Sequence, residues 1–196
     1  MRYLAHFAAL ALIACCVTFA TPARAQNNFI FNMVPSDGTE SCVPAKGRVT
    51  ITSLGGLVEN MHVEVSGLPA KTDFDLFVIQ QAVSKFGLSW YMGDMFTDAK
   101  GLAVGDFVGR FNAGTFIVAP GAAPAPVILP GDANTNPPTA PVQLYHLGLW
   151  FDTSADASKA GCAATVTPFN STHNAGVQIL NTSNFSSLRG PLFFAP

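Results

Sequence analysis

Charged residues are scarce in this chain of 196 residues: they make up 11% of it and form no basic cluster. Without a basic patch the chain lacks the electrostatic footprint of a nucleic-acid-binding protein, so no nucleic-acid partner is expected. The sequence also lacks common enzyme signatures, since it contains no GxSxG, HExxH, Walker or Rossmann glycine motif. These absences favour a protein that binds or builds over one that catalyses, and we assign no catalytic residue.

Long apolar runs are absent except at the N-terminus, where one extends from about residue 4 to residue 20. Ala23-Arg24-Ala25 follows it and matches a small-x-small cleavage site, which predicts a signal peptide over residues 1–25. An alternative is a lipid anchor, because the residues just before Cys15 match a lipoprotein cleavage box. The chain is therefore expected to be secreted or periplasmic, with no transmembrane segment in the mature protein.

The predicted mature chain, residues 26–196, is long enough for one domain with a sizeable core. It carries eight basic and twelve acidic residues, a formal net charge of −4. Its only cysteines are Cys42 and Cys162, and no CxxC spacing indicates a metal or redox site. A lone pair in an oxidising compartment predicts a Cys42–Cys162 disulfide.

Short segments with alternating apolar residues fill most of residues 26–196, which predicts an antiparallel β-sandwich with frequent turns. The segments Val63–Ile79 and Leu88–Phe111 each read as a strand, a turn and a returning strand. One short helix is predicted in "TSADASKAG", with Ser154 or Thr153 as its N-cap. A jelly roll is the alternative fold. The predicted strands are Phe29–Val34, Arg48–Leu54, 58–67, 73–79, Leu88–Phe96, Leu102–Phe111, Thr115–Ala119, Val142–Asp152 and Ala175–Asn181.

Residues 120–141 contain seven prolines, which excludes a helix or a central strand. They predict a long loop within the single domain, and a rigid sandwich commonly carries its contacts on such loops. Asp132, Asn134 and Asn136 lie within it at the spacing that opens a calcium loop. Calcium is therefore a candidate ligand of these three residues, although no cofactor is otherwise expected and turn chemistry alone explains them.

The run "VSGLPAKTDFDLFV" followed by "TDAKGLAVGDF" resembles immunoglobulin- or fibronectin-like sandwich modules of secreted bacterial proteins. "FGLSWYMGD" and "YHLGLWFD" are similar to segments of uncharacterised proteins of that kind. The resemblance covers about residues 50–111 and implies a fold, but no activity. It implies that Gly67-Leu68-Pro69 lies at a strand corner and that Phe74 and Leu76 fill the core.

Two chemical alternatives remain open. A small secreted hydrolase would use a histidine and a carboxylate, and the candidates are His62, His146 and His173 with Asp73 or Asp75. Two acids at this spacing beside a turn are more simply a solvated edge. A copper protein would use Met and His ligands, such as adjacent Met61 and His62 or the pair Met92 and Met95. Each of these pairs is expected to point to opposite strand faces, which weakens the copper reading.

Four aromatic side chains on predicted strands form a candidate binding surface, because exposed aromatic rows bind sugars and extended partners. They are Trp90, Tyr91, Tyr145 and Trp150, and the simpler alternative is that they fill the core. The sequence thus predicts an exported, non-catalytic protein with a binding or structural role in the cell envelope or extracellular space. Its expected partner is a protein, an envelope component or a glycan.

Overall fold

The computed structural model describes residues 28–83, 85–118 and 141–196. The predicted signal peptide and Cys15 lie outside these residues. So do the calcium candidates Asp132, Asn134 and Asn136, with all of the predicted Pro-rich loop except its last residue. The described residues form antiparallel strands and a single α-helix. The prediction of an all-β fold with one short helix is therefore confirmed.

The elements are numbered in chain order. The strands are β1 (Asn28–Pro35), β2 (Lys46–Ser53), β3 (Glu59–Ser66), β4 (Asp73–Ile79), β5 (Ser89–Phe96), β6 (Ala103–Gly109), β7 (Phe116–Val118), β8 (Pro141–Gln143), β9 (His146–Phe151) and β10 (Gln178–Asn181). The helix α1 spans Ser154–Lys159, and a 3₁₀ helix that we did not predict spans Pro191–Phe194. No helix in the described part of the chain is long and apolar enough to cross a membrane.

Eight strands form one sheet in the order β5-β4-β9-β10-β1-β2-β3-β6, while β7 and β8 pair separately. Strand β1 joins the two halves of the sheet: its first six residues pair with β2, and Val34 and Pro35 pair with β10. The inner faces of both halves pack on one core. The sheet curls so far that its edge strands β5 and β6 face each other. Whether this is a sandwich of the immunoglobulin or jelly-roll type stays a prediction.

Strand β3 shows why period-two alternation predicts burial. Met61, Val63 and Val65 are buried in the core, whereas His62 and Glu64 point to the outer face. This follows from the strand's position between β2 and β6, where one face meets the core and the other faces outward.

Strand β4 is buried on both faces. Phe74, Leu76 and Val78 belong to the main core, as the alternation and the resemblance imply. Phe77 and Ile79 on the opposite face form a second apolar cluster with Trp150, which Phe86 and Phe169 cover. Burial on both faces fits the central position of β4 between β5 and β9.

The two connections predicted as hairpins instead cross between the halves of the sheet. Strand β3 pairs with β2 and β6, and β4 pairs with β5 and β9, so Val63–Ile79 is not a hairpin. Strands β5 and β6 are likewise joined by a tight turn at Asp98–Gly101 without pairing with each other. The crossing segments run side by side, where Leu68 N donates to Gly101 O (3.3 Å). The turns were predicted correctly, but the strand partners were wrong.

Replacing Gly101 with alanine is expected to lower the free energy of unfolding by about 2–4 kcal/mol. Gly101 has φ +75°, and an added Cβ would overlap the carbonyl oxygen of Leu68 in the neighbouring crossing segment. Gly55→Ala is the matched control, because Gly55 also has positive φ (+94°) but has no described atom near an added Cβ. Its expected cost is about 1 kcal/mol. Urea unfolding measures both, and equal losses would mean that the crossing segments do not constrain Gly101.

One predicted strand is divided in the structure, whereas the ends of the helix match the prediction. The predicted strand Val142–Asp152 is two strands, because Leu144 N donates to Thr115 O and Tyr145 O accepts from Leu192 N between them. The helix is capped as predicted: the Thr153 hydroxyl accepts from Asp156 N, and Gly161 follows the end of the helix at φ +79°.

Candidate functional site

A cavity of about 760 Å³ lies between the two edge strands of the sheet. At one end the strands touch, since the Phe107 ring of β6 lies over Gly93 of β5. Further along, β5 and β6 separate and the cavity lies between them. The segment from Arg110 to Thr115, which leads into β7, forms its third wall. Its lining residues are Leu57, Val78, Trp90, Met92, Val108, Gly109, Arg110, Phe111, Gly114, Thr115, Phe116, Ile117 and Leu144.

The pocket runs from exposed apolar side chains to the main core. Its rim includes Leu57, which is 71% exposed, Trp90 (60%) and Val108 (67%). Val78 and Leu144 line it from within the main core and are buried. Several exposed large apolar side chains around one cavity mark a ligand or interaction site, because isolated ones would carry no such meaning.

Strand β5 contributes Trp90 and Met92 to the pocket wall, and a β-bulge in this strand positions Met92. The register with β4 shifts so that Leu76 lies opposite Gly93 while Phe77 lies opposite Tyr91. Met92 is the extra residue, and it breaks the alternation of the strand. Met92 and Met95 therefore both pack on the main core. The expectation that they point to opposite faces is wrong.

A buried carboxylate anchors the wall that follows β6. Glu59, at the start of β3, accepts hydrogen bonds from Phe111 N (2.7 Å) and Asn112 Nδ2 (2.9 Å). Residues 110–115 form a turn after β6, and the Thr115 hydroxyl at its end donates to Arg110 O at its start (2.8 Å). The wall is thus held by hydrogen bonds to β3, the neighbour of the edge strand β6.

Arg110 is the one charged residue among the described residues that line the pocket. Its Nε donates to Asn112 Oδ1 (3.1 Å), and its Nη1 donates to the carbonyl oxygen of Leu57 (3.2 Å). Both acceptors are neutral, and no carboxylate of the described residues lies within salt-bridge distance of the guanidinium. The pocket therefore presents a positive charge of fixed position at an apolar rim.

A second cluster, of acidic residues, lies on the outer face of β4. Asp75 is 2% exposed, lies opposite Asp94 of β5, and accepts from Asn170 Nδ2 (3.2 Å). Burial, followed by the negative charges of Asp152 and Asp94, raises the pKa of the Asp75 carboxyl to about 7. The face assignment of Asp75 was right, but its interpretation as part of a solvated edge was wrong. Asp73, two residues earlier, is exposed.

The three histidines lie apart, each with its own partners. On the outer face of β3, His62 Nδ1 lies 2.8 Å from Asp106 Oδ1. The buried His146 donates from Nε2 to Ser186 O (3.2 Å), and burial lowers its pKa. His173 lies in an exposed turn at φ +57°. None of them pairs with Asp73 or Asp75, and none lines the apolar pocket.

The predicted aromatic surface is divided among different environments. Trp90 and Tyr91 are exposed on opposite faces of β5, and only Trp90 lines the pocket. Tyr145 is half-buried and donates its hydroxyl to Ala113 O (3.0 Å), while Trp150 is buried in the second apolar cluster. A binding surface at Trp90 and Tyr91 stays a prediction, and the four side chains do not form one row.

Metal ligation gains no support from the described residues. They contain no group of three or more His, Cys, Asp or Glu side chains that could hold a metal ion. Met61 is buried in the core while its neighbour His62 is on the outer face, as expected for adjacent strand residues. The calcium candidates lie outside the described residues, so that prediction stays open.

The predicted disulfide is present. Cys42 and Cys162 are bonded across 120 residues, with a Cα–Cα distance of 5.1 Å. The bond joins the segment before β2 to the third residue after α1, so it ties the two halves of the sheet together.

No known family model matches the chain, and a search of curated proteins likewise finds no match. The class of protein is therefore defined by its own geometry: an all-β chain, tied by one disulfide, with an apolar pocket between its edge strands. Sequence reasoning found Trp90 but missed Leu57, Val108 and Arg110. Their signal was weak, because each lies at a strand end or in a loop and only the topology brings them together.

Proposed function

We propose that this chain is an exported, non-catalytic protein that binds a small apolar ligand in the pocket between β5 and β6. The observation that carries the proposal is the continuous apolar lining from exposed Leu57, Trp90 and Val108 down to buried Val78 and Leu144. A volume of about 760 Å³ lies within the range of roughly 300–1,000 Å³ usual for small-molecule sites.

The lining residues support binding over hydrolysis at this site. The described lining includes no histidine, cysteine or carboxylate, so its one hydroxyl group, that of Thr115, has no general base beside it in that lining. The nearby Glu59 is buried, and its oxygens accept from the backbone and side chain of the pocket wall. A hydrolase remains the alternative, and the His62–Asp106 pair is the observation that favours it.

The proposed location is the periplasm or the exterior of the cell, with a lipid anchor at Cys15 as the alternative. The N-terminal signal pattern and the Cys42–Cys162 disulfide support it, because disulfides persist in oxidising compartments. An apolar ligand in that location would be an envelope component. The immunoglobulin-like classification remains part of this proposal and rests on the sequence resemblance alone.

N-phenyl-1-naphthylamine, a neutral apolar dye that fluoresces in apolar surroundings, tests the proposal. We expect saturable binding of one dye per chain, and Leu57→Ala is expected to weaken it about fivefold, since it removes about 1 kcal/mol of apolar contact. Leu188→Ala is the matched control, because Leu188 is equally exposed (80%) but does not line the pocket. Absence of saturation, or equal losses in the two variants, would contradict the proposal.

A further inference from the structure

We propose that the ligand of this pocket is a long-chain carboxylate, whose chain fills the apolar cavity and whose head group pairs with Arg110 at the rim. The inference rests on the proposed function and adds the chemical class of the ligand. It follows from two features of the described lining: the apolar side chains reach the core, and the one charged side chain, Arg110, is positive and exposed.

The guanidinium of Arg110 is positioned but its charge is not paired. Of its five N–H donors, one on Nε and one on Nη1 are used by Asn112 Oδ1 and by the carbonyl oxygen of Leu57. One donor on Nη1 and both donors on Nη2 remain. A carboxylate at the rim can accept hydrogen bonds from these free donors.

The surrounding charges favour a monoanion over a more highly charged head group. Arg110 is the only cation among the described residues that line the pocket, so a dianionic phosphate would have one positive partner there for two negative charges. Two acceptors lie one residue further along the hydrogen-bond network, since Asn112 Nδ2 donates to Glu59 Oε1 (2.9 Å) and to Pro196 O (3.3 Å). The Glu59 side chain is buried and also accepts from Phe111 N, and neither Glu59 nor Pro196 lies within salt-bridge distance of the guanidinium. A carboxylate at the outer end of the guanidinium therefore meets a positive charge at the rim.

The apolar part of the ligand is also constrained. The rim residue Leu57 lies in the loop before β3 and Trp90 lies on β5, and the lining leads inward to Leu144. Its described residues include no charged side chain apart from Arg110. A ligand with polar groups along its length would lose hydrogen bonds to water in such a lining without replacing them. A single hydrocarbon chain with one terminal charge matches both the wall and the rim.

Three probes with the same chain and different head groups test the inference: dodecanoate, dodecanol and dodecylammonium, compared at pH 8 by titration calorimetry. A second measurement uses Trp90 fluorescence in a Trp150→Phe background, since Trp150 is buried in the other apolar cluster. We expect dodecanoate to bind about tenfold more tightly than dodecanol, and dodecylammonium to bind more weakly than both. The preference for dodecanoate should shrink as the salt concentration rises.

Variants of Arg110 separate charge from structure. Arg110→Gln is expected to abolish the preference for dodecanoate over dodecanol, and Arg110→Lys should retain part of that preference. Arg48→Gln, on the outer face of β2, is the control and should change nothing. Equal binding of dodecanoate and dodecanol, or an unchanged preference in Arg110→Gln, would overturn the inference and leave the proposed function intact. If none of the three probes binds, the inference fails, and if N-phenyl-1-naphthylamine also shows no saturable binding, the proposed function fails with it.

Discussion

Replacing Asp75 with asparagine is expected to stabilise the protein at pH 8 by about 2–4 kcal/mol. The ionised carboxylate of Asp75 is buried and lies beside two further acids, Asp94 and Asp152, so its charged form is disfavoured in the folded state. An asparagine has no charge to bury. Its carbonyl oxygen can still accept from Asn170 Nδ2, and its amide can donate to Asp94 as a protonated Asp75 would.

The direction of the pH dependence follows from the raised pKa. The Asp75 carboxyl has a pKa of about 7 in the folded state against 3.8 in the unfolded chain. Between these values the folded state holds a proton that the unfolded state has released. The free energy of unfolding therefore falls as the pH rises from about 4 to 7, because the buried Asp75 carboxyl must ionise in the folded state. Above pH 7 this loss is complete. Its full size is on the order of 4 kcal/mol at most.

Urea unfolding of the wild type and of Asp75→Asn at pH 4, 5.5, 7 and 8.5 measures this contribution as a difference. The difference is needed because His146, whose pKa is lowered by burial, and Asp152, whose pKa is raised by burial and by Asp73, titrate as well. Asp73→Asn is the control, since Asp73 lies on the same strand face but is exposed. Parallel pH curves for the wild type and Asp75→Asn would contradict the prediction.

The case of Asp75 shows which part of a strand can be predicted. Alternation assigned Asp75 and Phe77 correctly to the face opposite Phe74 and Leu76, because that assignment depends only on the backbone period. What covers the outer face depends on residues nearly a hundred positions later, such as Phe169 and Asn170. No local pattern contains that information, so the burial of Asp75 was not predictable.

The pairing of β5 with β6 was predicted wrongly for a related reason. The turn at Asp98–Gly101 has the sequence of a tight turn, and the structure forms one. A tight turn is compatible with a hairpin and also with a crossing between the halves of a sheet. Which of these forms depends on the competing partners: β4 is buried on both faces along most of its length, lies inside the sheet, and pairs with β9 as well as β5.

The pocket follows directly from those unpredicted partners. Had β5 and β6 formed a hairpin, Trp90 and Val108 would lie on paired strands with no cavity between them. Because the strands instead form the two edges of the sheet, the gap between them becomes a site. A candidate site made by topology is therefore less accessible to sequence reasoning than a disulfide, for which the two cysteines Cys42 and Cys162 were the only choice.

Removing that disulfide is the second large effect that we expect. The double variant Cys42→Ser/Cys162→Ser should lose about 5 kcal/mol of unfolding free energy, because the bond closes a loop of 120 residues and restricts the unfolded chain. In a domain of this size the loss corresponds to a fall of about 10–20 °C in the melting temperature. The denaturant m-value should rise, since the unfolded chain becomes more expanded.

Reduction provides the matched experiment. Dithiothreitol should lower the melting temperature of the wild type to that of Cys42→Ser/Cys162→Ser and leave the double variant unchanged. A loss below about 1 kcal/mol would mean that the unfolded chain is already compact near these residues, so that the bond has little entropy to remove. A loss of the expected size would mean that the folded state depends on an oxidised bond between the segment before β2 and the end of α1. Such a chain would reach its full stability only in a compartment that keeps Cys42 and Cys162 oxidised.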